Sequence, residues 1–506
     1  MKWIFILCRI IFIWVVSAIP LFSNSWHEIA QNVLDNLYKA SSDYRFPKPS
    51  LAFTSAKQDV AYFFPSKNTL VLEEETFIVC SRLGIDSING LAFIIGHELA
   101  HMYQEEMRIR DFTSSFLTYD KGIHARIRTE KQADIQGAFN AYVAGYKISS
   151  VVPRLIEELY VAYDLKSSAL DGYPTLEERK TTSKEVYDIV SDLILLYDIA
   201  PILSILGSYQ HASAAYEYIG QYYRGGEVLN NLGLNYLIEA INLTDYNLDR
   251  FAFPLEFNWE TRLKKPKVLY GAKDFDLAAF TRRIQLIEKG KKNFEEAIQQ
   301  NRNNPSALLN LATSYVLLGK YKEAQNILKT AVWPMHLKFK AQILESIILY
   351  ELDSSNIQVA VQLLQQIQKE GSITDKQLAQ LNMQIMLETV ISSEESENCE
   401  FVIPLSVYGF VDADTKQIIL NSVDVTTLDY ATINGDVHVR INSVLGKGLI
   451  LSRYVAVESS KVSNVNKSGT IYSFENGFIT HCTSKKQIAV LDERGYIKQR
   501  IAYQVK

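Results

Sequence analysis

His97, Glu98 and His101 stand within GHELAHMY at residues 96–103. On a helix, residues four apart lie one turn above each other on the same face, so both imidazoles reach toward one point. Neutral imidazoles are good zinc ligands. Glu98 projects beside them, too far round to bind the ion well, but placed to take a proton from a metal-bound water as it attacks a carbonyl carbon. On its own the string also describes a half-buried helix whose histidines make ordinary hydrogen bonds, though the rarity of the motif in a chain with eight histidines favours zinc. A zinc site needs a third ligand.

A metzincin would continue H-x-x-G-x-x-H, but Gln104 stands where the glycine belongs and Met107 where the last histidine belongs. Glu105, one turn below His101, points along the same face, yet one helix does not easily wrap three ligands tetrahedrally around an ion. The remaining candidate lies in IRTEKQADIQGAFNAYVAGY, where Glu130 and Asp134 are four apart beside the small residues Ala133 and Gly137. Glu130 from a second helix completes a His-His-Glu set and leaves a fourth position open. Asp134 then orients a ligand histidine by accepting its other N–H. Read alone, Glu130 and Asp134 are also compatible with solvated charges on a surface helix. One Zn2+ per chain is the cofactor this set implies.

The elements that must position these residues are legible. LAFIIGHELAHMYQEE has no proline and apolar residues at three- and four-residue steps, which predicts a helix, and Gly96 leaves room for close packing before the first ligand. Upstream, AYFFPSKNTLVLEEETFIV reads as one or two short strands with a turn at Pro65–Asn68. A peptidase acting on extended chains needs a strand edge, and residues 68–72 are the candidate edge.

GHELAH followed by E-x-x-A-D on a second helix resembles zinc metallopeptidases of the HtpX/BepA/CAAX-prenyl-protease type, a gluzincin family. The resemblance covers about residues 45–185. It implies an α+β gluzincin-like metallopeptidase domain in which His97, His101 and Glu130 bind zinc and Glu98 is the catalytic base. The chain departs from the family at DGYPTLEERK, where Tyr173 precedes Pro174 in place of an expected histidine, ahead of Arg179. Tyr173 is a candidate hydrogen-bond donor to an oxyanion, and equally a packing aromatic in a turn.

The 506 residues suffice for two or three domains, and a net charge of −5 without basic runs argues against nucleic acid as a partner. The start, MKWIFILCRIIFIWVVSAIPLFSNSW, is basic, then apolar, then small and polar, which predicts a signal peptide cleaved between Ala18 and Ser25. Arg9 shortens the apolar run below the about 20 residues a comfortable span needs. An exported, periplasmic or secreted chain with no transmembrane span after cleavage is expected. Of four cysteines, Cys8 falls in the leader and Cys399 and Cys482 are a candidate pair in an oxidising compartment, a pairing that spacing alone does not fix.

Beyond DGYPTLEERK the chain reads as helical to about residue 390. Leu308, Leu311, Ala312, Tyr315, Gly319, Tyr321, Ala324, Leu328 and Ala331 fall on the spacing of a tetratricopeptide repeat. Phe294 and Ala297 mark a preceding second helix, and Leu229, Leu232, Gly233 and Tyr236 repeat the first-helix pattern. A degenerate pair follows at 338–367, and residues 242–275 interrupt the period. Stacked repeats present a concave groove that binds peptides or partner proteins, or else brace the catalytic domain. The acidic stretch SSEESENCE reads as a linker. The texture after it is alternating β-branched and polar, with Asn434-Gly435 and Arg494-Gly495 as turns, and predicts a small all-β C-terminal domain in which His438 and His481 have no partner cluster.

The expected organisation is therefore a signal peptide at 1–25, a metallopeptidase domain at 26–185, α-helical tetratricopeptide-type repeats at 186–391, an acidic linker at 392–400 and a β-rich domain at 401–506. The expected function is an exported zinc endopeptidase acting on extended or unfolded protein substrates. The repeats would recruit substrate or an envelope assembly partner in protein quality control, as the resemblance implies. The alternative is a chaperone-like or scaffold protein with a latent or vestigial site.

Overall fold

The computed structural model describes residues 26–110, 123–148, 151–164, 176–243, 250–256, 277–388 and the strands between 415 and 505. The predicted signal peptide, Tyr173, the acidic linker, Cys399 and the turns at Asn434-Gly435 and Arg494-Gly495 lie outside the described residues. The chain is mostly helical and divides into two compact units. One holds the residues up to Leu196 with Gln221–Gly225, and the other holds Tyr197–Gly220 and the residues from Gly226 on.

The first unit begins with α1 (residues 26–41) and a small sheet of β1 (Ser50–Thr54), β2 (Ala61–Phe64) and β3 (Thr69–Glu73). The predicted turn is present as a short helical turn at Pro65–Lys67, and Asn68 takes the left-handed conformation (φ 45°) that lets the chain reverse into β3. The predicted edge is corrected. The strand order is β1-β3-β2, so β3 pairs parallel with β1 and antiparallel with β2, and an edge falls on β2. The buried Glu73 carboxylate at the end of β3 accepts N–H bonds from Gln58 and Asp59 at 2.9 Å, which fixes the β1–β2 connection. The helices α2 (Glu74–Arg82), α3 (Ser87–Arg110), α4 (Ile123–Val143) and α5 (Val152–Ala162) follow, and α6 (Leu176–Ile205) runs into the second unit.

The second unit continues with α7 (Tyr209–Gly220), α8 (Gly226–Leu243), α9 (Leu277–Gln300), α10 (Pro305–Leu317), α11 (Tyr321–Thr330), α12 (Met335–Leu352), α13 (Ile357–Glu370) and α14 (Ile373–Met386). Successive helices pack in pairs, α8 with α9, α10 with α11 and α12 with α13. Small residues set their spacing. A Cβ on Gly233 would meet the Gly290 carbonyl oxygen at 2.9 Å, so α8 and α9 touch backbone to backbone there. Phe294, Ala297, Ala312 and Ala324 are fully buried, as their repeat positions require. The Ala307 N–H donates to the Asn304 side chain, which caps α10, and Gly319 (φ 71°) turns the chain into α11.

Strands β4 (Lys416–Asn421), β5 (Thr426–Ile433), β6 (Asp436–Asn442), β7 (Leu449–Val455), β8 (Thr470–Phe474), β9 (Gly477–Cys482), β10 (Gln487–Asp492) and β11 (Ile497–Val505) form one antiparallel eight-stranded sheet, ordered β4-β5-β6-β7-β11-β10-β9-β8. Two meanders join where β11 returns beside β7. Asp429 and Arg440, directly opposite in β5 and β6, pair at 2.9 Å. His438 is buried in this sheet, and Cys482 is disulfide-bonded.

Candidate metal centre

The two helices that carry the chemistry cross at a glycine pair. A Cβ on Gly96 of α3 would lie 2.7 Å from the Gly137 carbonyl oxygen, and one on Gly137 of α4 would lie 2.5 Å from the His97 nitrogen. No larger residue fits at either position without moving the helices apart, so the two backbones are in contact. Glu130, Asp134 and Gly137 are spaced at four and then three residues and share one face of α4. The crossing therefore points Glu130 and Asp134 at the histidines. Ala133 of α4 and Leu99 of α3 are buried, at 0 % and 1 % exposure.

Three side chains converge, and each Glu130 oxygen faces a different histidine. His97 Nε2 and His101 Nε2 are 3.0 Å apart, and the Glu130 oxygens lie 3.5 Å from His97 Nε2 and 3.4 Å from His101 Nε2. A tetrahedral ion with bonds of about 2.0–2.1 Å needs donor atoms about 3.3 Å apart. The separations of 3.0–3.5 Å are close to that edge length, one ligand atom from each residue lies within 4.8 Å of the others, and two imidazoles and a carboxylate are donors a zinc ion takes. Among the described residues this is the group of three or more such donors that comes together.

Both histidines are held from behind. Asp134, 1 % exposed, accepts the His97 Nδ1–H at 2.8 Å, which fixes the tautomer that turns the Nε2 lone pair toward the centre. His101 Nδ1 donates to Gln104 Oε1 at 3.3 Å. Without an ion, burial works against the charge on His97. The hydrogen bonds and charges of Asp134 and Glu130 outweigh it and push its pKa up to about 10. Glu130 is half exposed and loses part of its hydration at the centre, yet hydrogen bonds from His101 and His97 hold its carboxyl well below the usual range.

Glu98 is buried beside the triangle, and burial raises its pKa against the lowering influence of both histidines and of the Phe63 backbone N–H in β2. A carboxylate held near a cationic centre, with its proton affinity raised, is suited to exchanging a proton with a group at that centre.

The geometry brings together His97, Glu98, His101, Glu130 and Asp134 as their spacing suggests. Glu105 lies on α3, and the centre is built with Glu130. Two participants were not legible as such. Gln104 marks the absence of one peptidase pattern, but its place three residues after His101 is the signal for its orienting role. The Phe63 N–H is a backbone group and carries no residue signature.

Residues 287–332, spanning most of α9 and all of α10 and α11, match the tetratricopeptide repeat family model. No curated protein matches the chain. None of the described helices is long and apolar enough to cross a membrane.

Proposed function

We propose that the chain is an exported zinc endopeptidase, with His97, His101 and Glu130 holding one Zn2+ per chain and Glu98 acting as general base. The observation that carries the reading is the donor triangle with Asp134 behind it and Glu98 beside it. A zinc ion bound there would supply Lewis acidity to a water and to a substrate carbonyl. The protein's own part is to keep Nε2 of both histidines aimed inward and to accept the proton at the Glu98 carboxylate, returning it to the leaving amine. The outer edge of β2, whose Phe63 N–H meets Glu98, is where an extended substrate would pair its backbone. Tyr173 stays a proposed oxyanion donor, and the leader-like start supports export to the periplasm or beyond. The tetratricopeptide match supports protein partners, in keeping with a role in envelope protein quality control.

The test is cleavage of an unfolded protein such as casein by the purified chain, beside Glu98→Gln, His97→Ala and a chelated control, with zinc content measured. Glu98→Gln is expected to keep zinc and lose cleavage, and His97→Ala to lose both. Cleavage that survives Glu98→Gln would refute the assignment. The repeat match also supports a second reading, a chaperone-like scaffold. It predicts that suppression of substrate aggregation survives Glu98→Gln.

A further inference from the structure

Between α8 and α9 the chain contains a stretch that no repeat requires. Residues 250–256, RFAFPLE, form no strand or α-helix, yet Phe251, Ala252, Phe253, Leu255 and Glu256 are 0–3 % exposed. Connecting segments normally run over the surface, because backbone N–H and C=O groups need water. Here asparagine side chains take the place of water. Ala252 N–H donates to Asn382 Oδ1 and Ala252 C=O accepts from Asn382 Nδ2, both at 2.9 Å. Four residues on, Glu256 N–H donates to Asn310 Oδ1 at 2.9 Å and its C=O accepts from Asn310 Nδ2 at 2.6 Å. Asn230 Nδ2 adds a bond to the same carbonyl at 3.1 Å.

The side chains are read as well. Glu256 pairs with Lys340 at 2.5 Å, and Phe251 packs edge-on against Tyr350 with ring centres 5.8 Å apart. Arg250 reaches Glu351 at 3.3 Å. The contacts come from Asn230 of α8, Asn310 of α10, Lys340, Tyr350 and Glu351 of α12, and Asn382 of α14. These are the leading helices of successive hairpins together with α14. One polar residue from each, aimed at the backbone or carboxylate of an extended segment, is the way a receptor reads a peptide. A permanently packed loop would more simply be covered by apolar side chains.

We propose that RFAFPLE is an internal ligand filling the groove of the repeat array. The partner that displaces it is an extended protein segment of the same chemistry: two aromatic residues two positions apart, then an apolar residue, then a carboxylate. The inference does not depend on the metal centre. A groove filled in cis binds an outside peptide more weakly in proportion to the fraction of time it stands empty.

The probe is a fluorescent peptide of sequence RFAFPLE, tested on the full chain and on Phe251→Ala/Phe253→Ala, which weakens the internal copy. Binding is expected to tighten by about tenfold or more in the double variant, as the competing internal copy is lost. Adding Lys340→Glu to that variant should abolish binding, and a peptide carrying Glu256→Lys should restore it. In the unaltered chain, the Ala252 and Glu256 amides should exchange with solvent faster than the core amides of α10, which reports release without unfolding. A folded double variant that binds no peptide would overturn the proposal. So would a double variant whose repeats no longer melt cooperatively, or Ala252 and Glu256 amides in the unaltered chain that exchange no faster than the α10 core, because the segment would then be a fixed part of the fold.

Discussion

The glycine crossing lets a single methyl group test whether helix contact sets the proposed metal centre. Gly96→Ala places a carbon 2.7 Å from the Gly137 carbonyl oxygen and 3.2–3.3 Å from its carbon atoms. Non-bonded heavy atoms rest at about 3.5–4.0 Å, so α3 and α4 must part by roughly 0.5–1 Å. Backbone atoms, unlike the tip of a side chain, cannot swing aside. Overpacking of this kind costs about 1–3 kcal/mol. Against it stands the helix-propensity gain of alanine over glycine, about 1 kcal/mol. The net effect on stability is therefore a modest loss of about 0–2 kcal/mol. The effect on the centre is larger, because metal–ligand distances tolerate only about 0.2 Å. Moving α4 by more than that takes Glu130 off the triangle. Gly90→Ala on the same helix is the matched control, since its new methyl meets the end of the Leu83 side chain, which can move. Zinc titration by calorimetry and thermal melting should show affinity down by about tenfold or more for Gly96→Ala. Gly90→Ala should bind as the unaltered chain does and melt at the same or a higher temperature. Equal zinc affinity in both variants would refute the idea that backbone contact at Gly96 and Gly137 positions Glu130.

Asp134→Asn keeps the shape of the side chain but loses the charge that orients His97, so zinc affinity should fall by about 10–100-fold with the fold retained, measured by competition with a chromophoric chelator. The ion-free chain has a defined pH signature. The raised pKa of His97 contributes stability that is full below 6.5 and lost as pH rises through about 10. The lowered Glu130 contributes stability present above 4.5 and lost as pH falls through its folded value. The urea stability of the chelated chain minus that of His97→Gln should thus be greatest between 4.5 and 6.5 and shrink toward pH 10. A difference that grows with pH would refute the pairing. Cys80 is fully buried and its thiol is pushed up to about 12, so Ellman's reagent should leave it unreacted until the protein unfolds.

The convergence of these side chains was readable because its determinants are local. The four-residue step from His97 to His101 and from Glu130 to Asp134 follows from helix geometry alone, and glycine at 96 and 137 signals a close crossing before the partner is known. The repeats were readable for the same reason. Ala312, Ala324 and Gly319 sit where helix contact and a left-handed turn demand them. Strand order was not readable. Residues 68–72 have the alternation of a strand, but whether a strand lies at the edge or the centre depends on whether both neighbours come to it. One of those neighbours, β1, lies across a turn and an intervening strand.

The segment 250–256 was hidden for a different physical reason. Its holders are asparagines, and in a sequence asparagine reads as a turn or surface residue because its carboxamide competes with the backbone for hydrogen bonds. Within a helix already paired to itself, the same carboxamide can reach outward and satisfy the N–H and C=O of another strand of chain. Asn230, Asn310 and Asn382 are all fully buried and do this. Fully buried asparagines on the leading helices of a repeat array therefore carry information that hydrophobic periodicity discards. Their polarity is unfavourable in a core unless it is hydrogen-bonded: Asn235 is satisfied within the helices by Ser204 and the Asn231 carbonyl, whereas Asn230, Asn310 and Asn382 are satisfied on the backbone of the extended segment.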